Sequence, residues 1–451
     1  MRAHSTGSRR QSDGNHSAAH DRRTGTGAPM RGVIRRRGIA ARCHARVEGE
    51  MHPEWWFAAV PALCAGALMP VAISARSIGH DHADGLQAMH VTPTSRLGGT
   101  ILYIAFATAI LVAHLFGFDD LSAALPLLLA AIPIVAAGLV EDLTRRVRPR
   151  YRLLAALVSA ALASYYAGSV VPRVDLPLVD YLLGFAWFAL PLTWFMVIGA
   201  CNAFNLIDGM HGLASGTALI MFGGLALAAG WAHDHETLAQ ALAMMGALAG
   251  FLVWNYPRGK IFLGDAGAYF IGFIYAALAI RLVANNDAIS AWYVIVLAGY
   301  PIVDTLFAMY RRGMVRHVPL MAPDALHLHS LVYRRIAIPR ERRRLDRRVQ
   351  DLGPPGEERR RGDRRAGDQT ERHRQLHRAN RRVAPRLWVH SLLCLAMAVV
   401  FYDNTYALLG CLAGYTLFYT SRYRHLVRFG RRQVRRVLRE QGDNTPETRP
   451  E

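Results

Sequence analysis

A chain of 451 residues would ordinarily make two or three soluble domains, but 52% hydrophobic residues beside 53 Lys+Arg exclude an evenly mixed globular composition. The positive mean hydropathy and the net charge of +20 require apolar and basic residues to be segregated along the chain. No nucleic-acid recognition motif accompanies the arginines, so no nucleic-acid partner is expected.

In chain order, residues 1–50 carry eleven arginines and no apolar core of the signal-peptide kind. They read as a disordered basic arm or as a mis-assigned start, with Met51 and the aromatic, acidic run His-Pro-Glu-Trp-Trp as the expected beginning of the first helix. From there apolar stretches of about 20 residues recur, each long enough to cross a hydrocarbon layer of roughly 30 Å. About eleven can be counted, centred near Leu63, Ala107, Leu129, Leu157, Leu190, Phe222, Met245, Phe273, Val296, Leu395 and Leu412. A spanning segment of that length must satisfy its own backbone, so the expected fold is all-α, a polytopic membrane protein of about eleven transmembrane helices. The domain reading is a membrane region of nine helices over 51–335, a charged insertion over 336–385, two further helices over 386–429 and a basic tail over 430–451. Of the five cysteines, four sit within or beside helices with no paired spacing, which suits small apolar residues and not a disulfide or zinc framework.

Cations favour cytoplasmic loops, and here they alternate if the first helix runs from outside to inside. The loops at Gly117 to Asp120, Val171 to Asp180, Trp231 to Glu236, Asn285 to Asp287 and Tyr402 to Thr405 are poor in them. Arg145 to Arg150, Arg258 to Lys260, Arg311-Arg312, the stretch Arg335 to Arg386 and the tail beyond Arg422 are rich. These define the cytoplasmic side and place the C-terminus on it. The Arg- and Glu-dense insertion cannot form a packed core. It reads as a flexible or partly helical segment attracted to anionic lipid.

Five polar clusters all fall at the helix ends assigned to that side, which points to a site there. His90-Val-Thr-Pro-Thr-Ser-Arg96-Leu-Gly-Gly couples a fixed cation for phosphate with glycines that allow close backbone approach. Glu141-Asp142 ends an apolar helix beside several arginines, where acids are costly unless they pair or bind a cation. Asn202-Ala-Phe-Asn205-Leu-Ile-Asp208-Gly-Met-His211-Gly packs amides, an acid, a histidine and glycines between two apolar helices, a set able to hydrogen-bond a nucleobase and sugar. Phe262-Leu-Gly-Asp265 opens a helix, where the carboxylate is either an N-cap or a Mg²⁺ ligand shared with substrate phosphate. His327-Leu-His329 lacks a third ligand for zinc and suits phosphate contact better.

In their order and shared side, these clusters resemble the polyprenyl-phosphate N-acetylhexosamine-1-phosphate transferases, the glycosyltransferase family 4 group that includes the phospho-N-acetylmuramoyl-pentapeptide transferases. The resemblance runs from about Met51 to Phe429. It implies a multi-pass enzyme of the bacterial inner membrane that uses Mg²⁺, with Mn²⁺ as an alternative. Such an enzyme moves a sugar-1-phosphate such as GlcNAc-1-phosphate from a UDP-sugar to undecaprenyl phosphate, releases UMP and initiates a cell-envelope polysaccharide. It also implies roles. Asp142, Glu141 and Asp265 would be catalytic, with Asp265 and Asn205 at the metal. His90, Arg96, Asn202, Asn205, Asp208, His327 and His329 would bind substrate.

The chain departs from the family pattern at Ala88, Ser95, Glu141, His211 and Ser330, and His211 and Ala88 bear on sugar preference. The lipid bilayer is the expected environment, and a homodimer is compatible with the fold. Two readings compete. A muramoyl-pentapeptide transferase ranks lower because this chain continues through further helices and has the sparser histidine motif. A transporter would place its polar residues near the membrane midplane in related halves.

Overall fold

A computed structural model of the chain describes residues 55–74, 80–81, 94–315, 317, 326–333, 335–336 and 361–442, all within the unit Gly49–Glu451. The expectations for residues 1–50, His90 and 337–360 lie outside the described residues.

The described chain is almost wholly helical, with one short antiparallel pair, β1 (His80–Asp81) and β2 (Thr94–Ser95). Its helices are α1 (Trp56–Ser74), α2 (Gly98–Leu115), α3 (Asp119–Ser122), α4 (Leu125–Ala130), α5 (Ile132–Thr144), α6 (Pro149–Tyr166), α7 (Pro177–Leu183), α8 (Ala186–Ile207), α9 (Leu213–Trp231), α10 (His235–Asn255), α11 (Gly264–Asn285), α12 (Ala291–Leu297) and α13 (Gly299–Tyr310). A π-helical turn (Arg311–Val315) follows, then α14 (Arg361–Val400) and α15 (Thr405–Gly442).

Seven of these helices are long and apolar enough to cross a membrane, and nine spans result if two bent pairs are each one span. The chain is therefore a polytopic membrane protein. The bends are 57° between α3–α4 and α5, and 73° between α12 and α13 with its π-helical end. Pro133 and Pro301 stand in the first turns after the two breaks, where a missing N–H and a fixed φ interrupt the helical ladder. The eleven apolar centres all fall in helices, yet α6 (around Leu157) and α15 (around Leu412) are long enough but not apolar enough for a span. Arginines enter both: Arg150 and Arg152 in the first turn of α6, and Arg422, Arg424 and Arg428 in α15. From Arg361 on, the charged segment forms the first part of α14, a 40-residue helix. The four described cysteines are free thiols, with Cys201 and Cys394 buried.

Helix α11 is the axis of the bundle. It is apolar around its whole circumference and buried along nearly its whole length, as such a helix must be. Helices α2, α5, α8, α9 and α10 surround it, and α1 packs on α10 and α2. Small residues set these distances: a Cβ added to Gly272 would lie 2.6 Å from Cys201 Cα, and one on Gly138 2.5 Å from Ala266 Cα. The Gly246-x-x-x-Gly250 face of α10 receives the backbone of α1 in the same way, at Ala58 and Ala62.

One end of the bundle is tied by Asp175. Its carboxylate accepts from Arg173, from Ser290 Oγ at 2.9 Å, from the Ala291 N–H at 2.7 Å and from Thr405 Oγ1 at 3.1 Å. Arg173 also donates to the Ile289 carbonyl at 2.7 Å. Three loops distant in sequence are joined there, and the polar clusters lie at the other end.

Candidate active site

The site is assembled around the start of α11. Chain 94–99 runs beside 261–264 as a short backbone zipper. Phe262 N–H donates to Ser95 O at 2.8 Å, Gly98 N–H to Phe262 O at 3.1 Å and Gly99 N–H to Leu263 O at 2.8 Å. Arg96 and Asp265 are thus fixed on adjoining strands of backbone. Gly264 makes the turn into α11 with φ of +74°, and a Cβ there would lie 2.5 Å from Asp142 Oδ2 and 2.6 Å from Arg96 O.

Asp142, at the end of α5, is buried and receives the first free amides of α11. Asp265 N–H donates to its Oδ1 at 2.9 Å and Ala266 N–H to its Oδ2 at 3.0 Å. It caps α11 from a different helix, a carboxylate set against the positive end of the helix dipole. Its neighbour Glu141 accepts the Val147 N–H at 2.8 Å and so holds the turn at Arg145, whose φ is +56°.

Asp265 faces the other way. Its Oδ1 accepts Asn205 Nδ2 at 3.0 Å and its Oδ2 accepts Arg152 of α6. Asn202, almost a turn earlier on α8, donates to the Ile198 carbonyl at 2.8 Å and is held within its own helix. Asp208 follows the end of α8. Half-buried, its carboxylate has no hydrogen-bond partner among the described residues, and burial, then the charges of Asp265 and Asp142, push it up to about 7 against the pull of Arg96.

The histidine pair closes the opposite side. His327 and His329 stack in parallel with ring centroids 5.6 Å apart. His327 Nδ1 is 2.9 Å from Asp304 Oδ2, and its Nε2 is 3.1 Å from Arg312 Nη2. Arginine can only donate, so Nε2 accepts and the Nδ1–H is directed at Asp304. His329 Nε2 abuts Gly209, where an added Cβ would lie 2.3 Å from it, while its Nδ1 is buried with no hydrogen-bond partner among the described residues. Burial pushes the His329 ring down to about 4, so it is neutral at physiological pH. His211 lies under the same loop, stacked on Phe262 at 5.3 Å.

The structure thus brings together Arg96, Asp142, Asn205, Asp208, Asp265 and His329. Glu141, Asn202 and His327 sit around them in supporting bonds, and His90 lies outside the described residues. Five further residues join the site. Arg152 pairs with Asp265; Asp304 and Arg312 hold His327; Asn255 accepts Gly212 N–H at 2.6 Å and donates to Ile261 O at 2.7 Å; Trp388 Nε1 of α14 donates to Gly212 O at 3.0 Å. Asp304 had a legible signal, a lone acid inside an apolar run. Arg152 did not, being one of several arginines in one basic stretch.

Among the described residues no three His, Cys, Asp or Glu side chains form a ready-made metal cage. The donor set still fits Mg²⁺, which takes one or two carboxylates and completes its shell with water and phosphate oxygens. Asp208 supplies a carboxylate with no hydrogen-bond partner among the described residues, beside the charge of Asp265.

The model of glycosyl transferase family 4 matches residues 124–283. The chain is 34% identical over 247 residues to the phospho-N-acetylmuramoyl-pentapeptide-transferase of Halalkalibacterium halodurans, covering 51% of this chain and 71% of that protein. It is 29% identical over 240 residues to a Bacillus subtilis protein named probable undecaprenyl-phosphate N-acetylglucosaminyl 1-phosphate transferase, covering 52% and 64% respectively. The phospho-N-acetylmuramoyl-pentapeptide-transferase of Bacillus mycoides is 34% identical over 207 residues, 42% of this chain and 61% of that one. The matched segment spans less than two thirds of the two Bacillus relatives.

Proposed function

The chain belongs to glycosyl transferase family 4, and from that premise we propose that it transfers a sugar-1-phosphate, N-acetylglucosamine-1-phosphate in the first instance, from a UDP-sugar to undecaprenyl phosphate with release of UMP. The observation that carries this reading is the convergence of Asp142, Asp208 and Asp265 with Arg96, Arg152 and the histidine pair at one end of a membrane bundle. A lipid-borne phosphate and a water-borne diphosphate can meet only at such a boundary. On the distribution of cations, that end faces the cytoplasm of a bacterial inner membrane.

In this reading an oxygen of the lipid phosphate attacks the sugar-proximal phosphorus. A new P–O bond forms, the bond to the UMP oxygen breaks, and the products are a lipid-linked sugar diphosphate and UMP. Asp265 and Asp208, with Asn205 beside them, would hold Mg²⁺, which would supply charge neutralisation for the phosphates. The protein's own contribution is positioning. Asp142 fixes the start of α11 and with it Asp265. Arg152 and Asn205 fix the direction of the Asp265 carboxylate. Arg96 places a cation against the anionic reactants, and His329, kept neutral by burial, offers hydrogen bonding to phosphate without adding charge. The glycine-bearing loop 209–212, clamped by Asn255 and Trp388, is the seat for the nucleotide.

A second reading is favoured by the 34% identity to the Halalkalibacterium halodurans relative: a UDP-muramoyl-pentapeptide as donor. Purified protein incubated with undecaprenyl phosphate and a panel of UDP-sugars, with and without Mg²⁺, decides between them. Lipid- and Mg²⁺-dependent UMP release from UDP-GlcNAc, lost in Asp265→Ala, is the expected result. Release from UDP-muramoyl-pentapeptide alone would establish the second reading, and release from no donor by folded protein would refute both.

A further inference from the structure

The histidine pair is held from a part of the chain that lies beyond the family-matched residues 124–283. Asp304, on α13, is almost fully buried, and among the described residues its only ion-pair partner is His327. Its two oxygens are divided. Oδ2 faces His327 Nδ1 at 2.9 Å, while Oδ1 accepts the Tyr419 hydroxyl from α15 and, at 3.4 Å, the Leu328 N–H. One turn further along α15, Tyr423 receives Arg311 Nη1 at 2.9 Å at the start of the π-helical turn, next to Arg312. One tyrosine of α15 therefore holds Asp304, the carboxylate support of His327, and a second holds Arg311, the chain neighbour of Arg312.

We propose that Tyr419 is a positioning residue for the transfer reaction: its hydroxyl occupies Asp304 Oδ1, so that Oδ2 holds the Nδ1–H of His327 and Nε2 keeps its lone pair toward Arg312. The role follows from donor and acceptor chemistry. Without the Tyr419 hydroxyl, Oδ1 keeps only the long Leu328 N–H contact at 3.4 Å; the buried carboxylate then rotates to recover a donor, and rotation of Asp304 releases the imidazole from the tautomer that Arg312 requires. Among the described residues the groups facing His327 are Asp304 of α13, Arg312 of the π-helical turn and its neighbour His329, with Tyr419 acting through Asp304. The ring of Tyr419 is also packed, edge-on to Phe307 with centroids 5.6 Å apart. Tyr419→Phe keeps that contact and removes only the hydroxyl.

The inference rests on the transferase reading, so the test has one arm that needs no turnover. In the full-length protein, Tyr419→Phe should lower kcat for UMP release about tenfold with KM for the UDP-sugar within about twofold, because orientation is lost and not binding. In a His327→Ala background the same substitution should change kcat no further. Tyr415→Phe, on the same helix as Tyr419, removes a buried hydroxyl bonded to His390 of α14 at 3.1 Å and should leave kcat unchanged. Independently of activity, ¹⁵N shifts of labelled His327 should report an Nδ1–H tautomer in the wild type and a mixture in Tyr419→Phe. Wild-type kcat in Tyr419→Phe, or an equal loss with and without His327, would overturn the proposal. If the wild type releases no UMP the transferase reading fails, and the ¹⁵N shifts alone then decide whether Tyr419 sets the tautomer.

Discussion

Asp142→Asn perturbs the joint on which the site is built. Two amides of α11 point at the two oxygens of Asp142, at 2.9 and 3.0 Å. Asparagine matches its shape but offers one oxygen and one NH₂, so one helix amide meets a donor. Losing a hydrogen bond to a charged acceptor costs about 1.5–3 kcal/mol, and losing an anion at a helix N-terminus up to about 2 kcal/mol. The group replaced is nearly fully buried, so relief of its desolvation offsets part of this, and a net destabilisation of about 2 kcal/mol is expected. Thiol-reactive fluorescence during heating measures it, since Cys201 is buried on α8 with its Sγ 3.5 Å from Tyr269 O of α11, and gains reactivity when the two helices part. The midpoint of the Cys201 signal should fall, and UMP release should fall at least tenfold because Asp265 rides on the same turn. An unchanged midpoint with unchanged activity would refute the view that Asp142 anchors α11.

Three more outcomes follow from the geometry. Asp208 has a folded pKa raised to about 7, so the folded protein holds its proton between the ordinary carboxylate range and pH 7; its contribution to stability therefore falls as pH rises through that window, and a cation must displace the proton. Mg²⁺-dependent activity should decline below pH 7 and recover partly with more Mg²⁺, while Asp208→Asn should raise the unfolding midpoint at pH 8 without Mg²⁺ and abolish the added stabilisation Mg²⁺ gives the wild type. Trp388→Phe removes the bond to Gly212 O, worth about 1 kcal/mol, and should raise KM for the UDP-sugar about fivefold with kcat retained, as read from initial rates. Gly209→Ala places a methyl 2.3 Å from Nε2 of the buried His329 ring, so it should lower kcat by about tenfold or more and, because that ring has to shift, lower the thermal midpoint as well.

Much of the site was legible because the residue types themselves are costly in an apolar chain. Acids, amides and histidines at the ends of hydrophobic helices mark where they must find partners, and Asp142, Asn205, Asp208, Asp265 and His329 do converge. What could not be read was which partner each would find. Asp142 looked like one of two equivalent acids, yet it caps α11 while Glu141 turns to the Val147 amide, because adjacent helical residues point about 100° apart. Arg152 was indistinguishable from Arg145, Arg146, Arg148 and Arg150 until the packing of α6 aimed it at Asp265.

The sequence by itself determined the helical class, the alternation of apolar segments and basic loops, and the gathering of polar motifs at one end, since each is a property of consecutive residues and their transfer from water to lipid. The number of spans and the wiring of the site were decided by tertiary structure. Bends at α4–α5 and α12–α13 depend on how broken helices seat against neighbours. The bonds Arg152 to Asp265, Asp265 to Asp142 and Tyr419 to Asp304 join residues 113, 123 and 115 positions apart. No local pattern carries such pairings. They exist only when close glycine packing brings one helix end within hydrogen-bond reach of another.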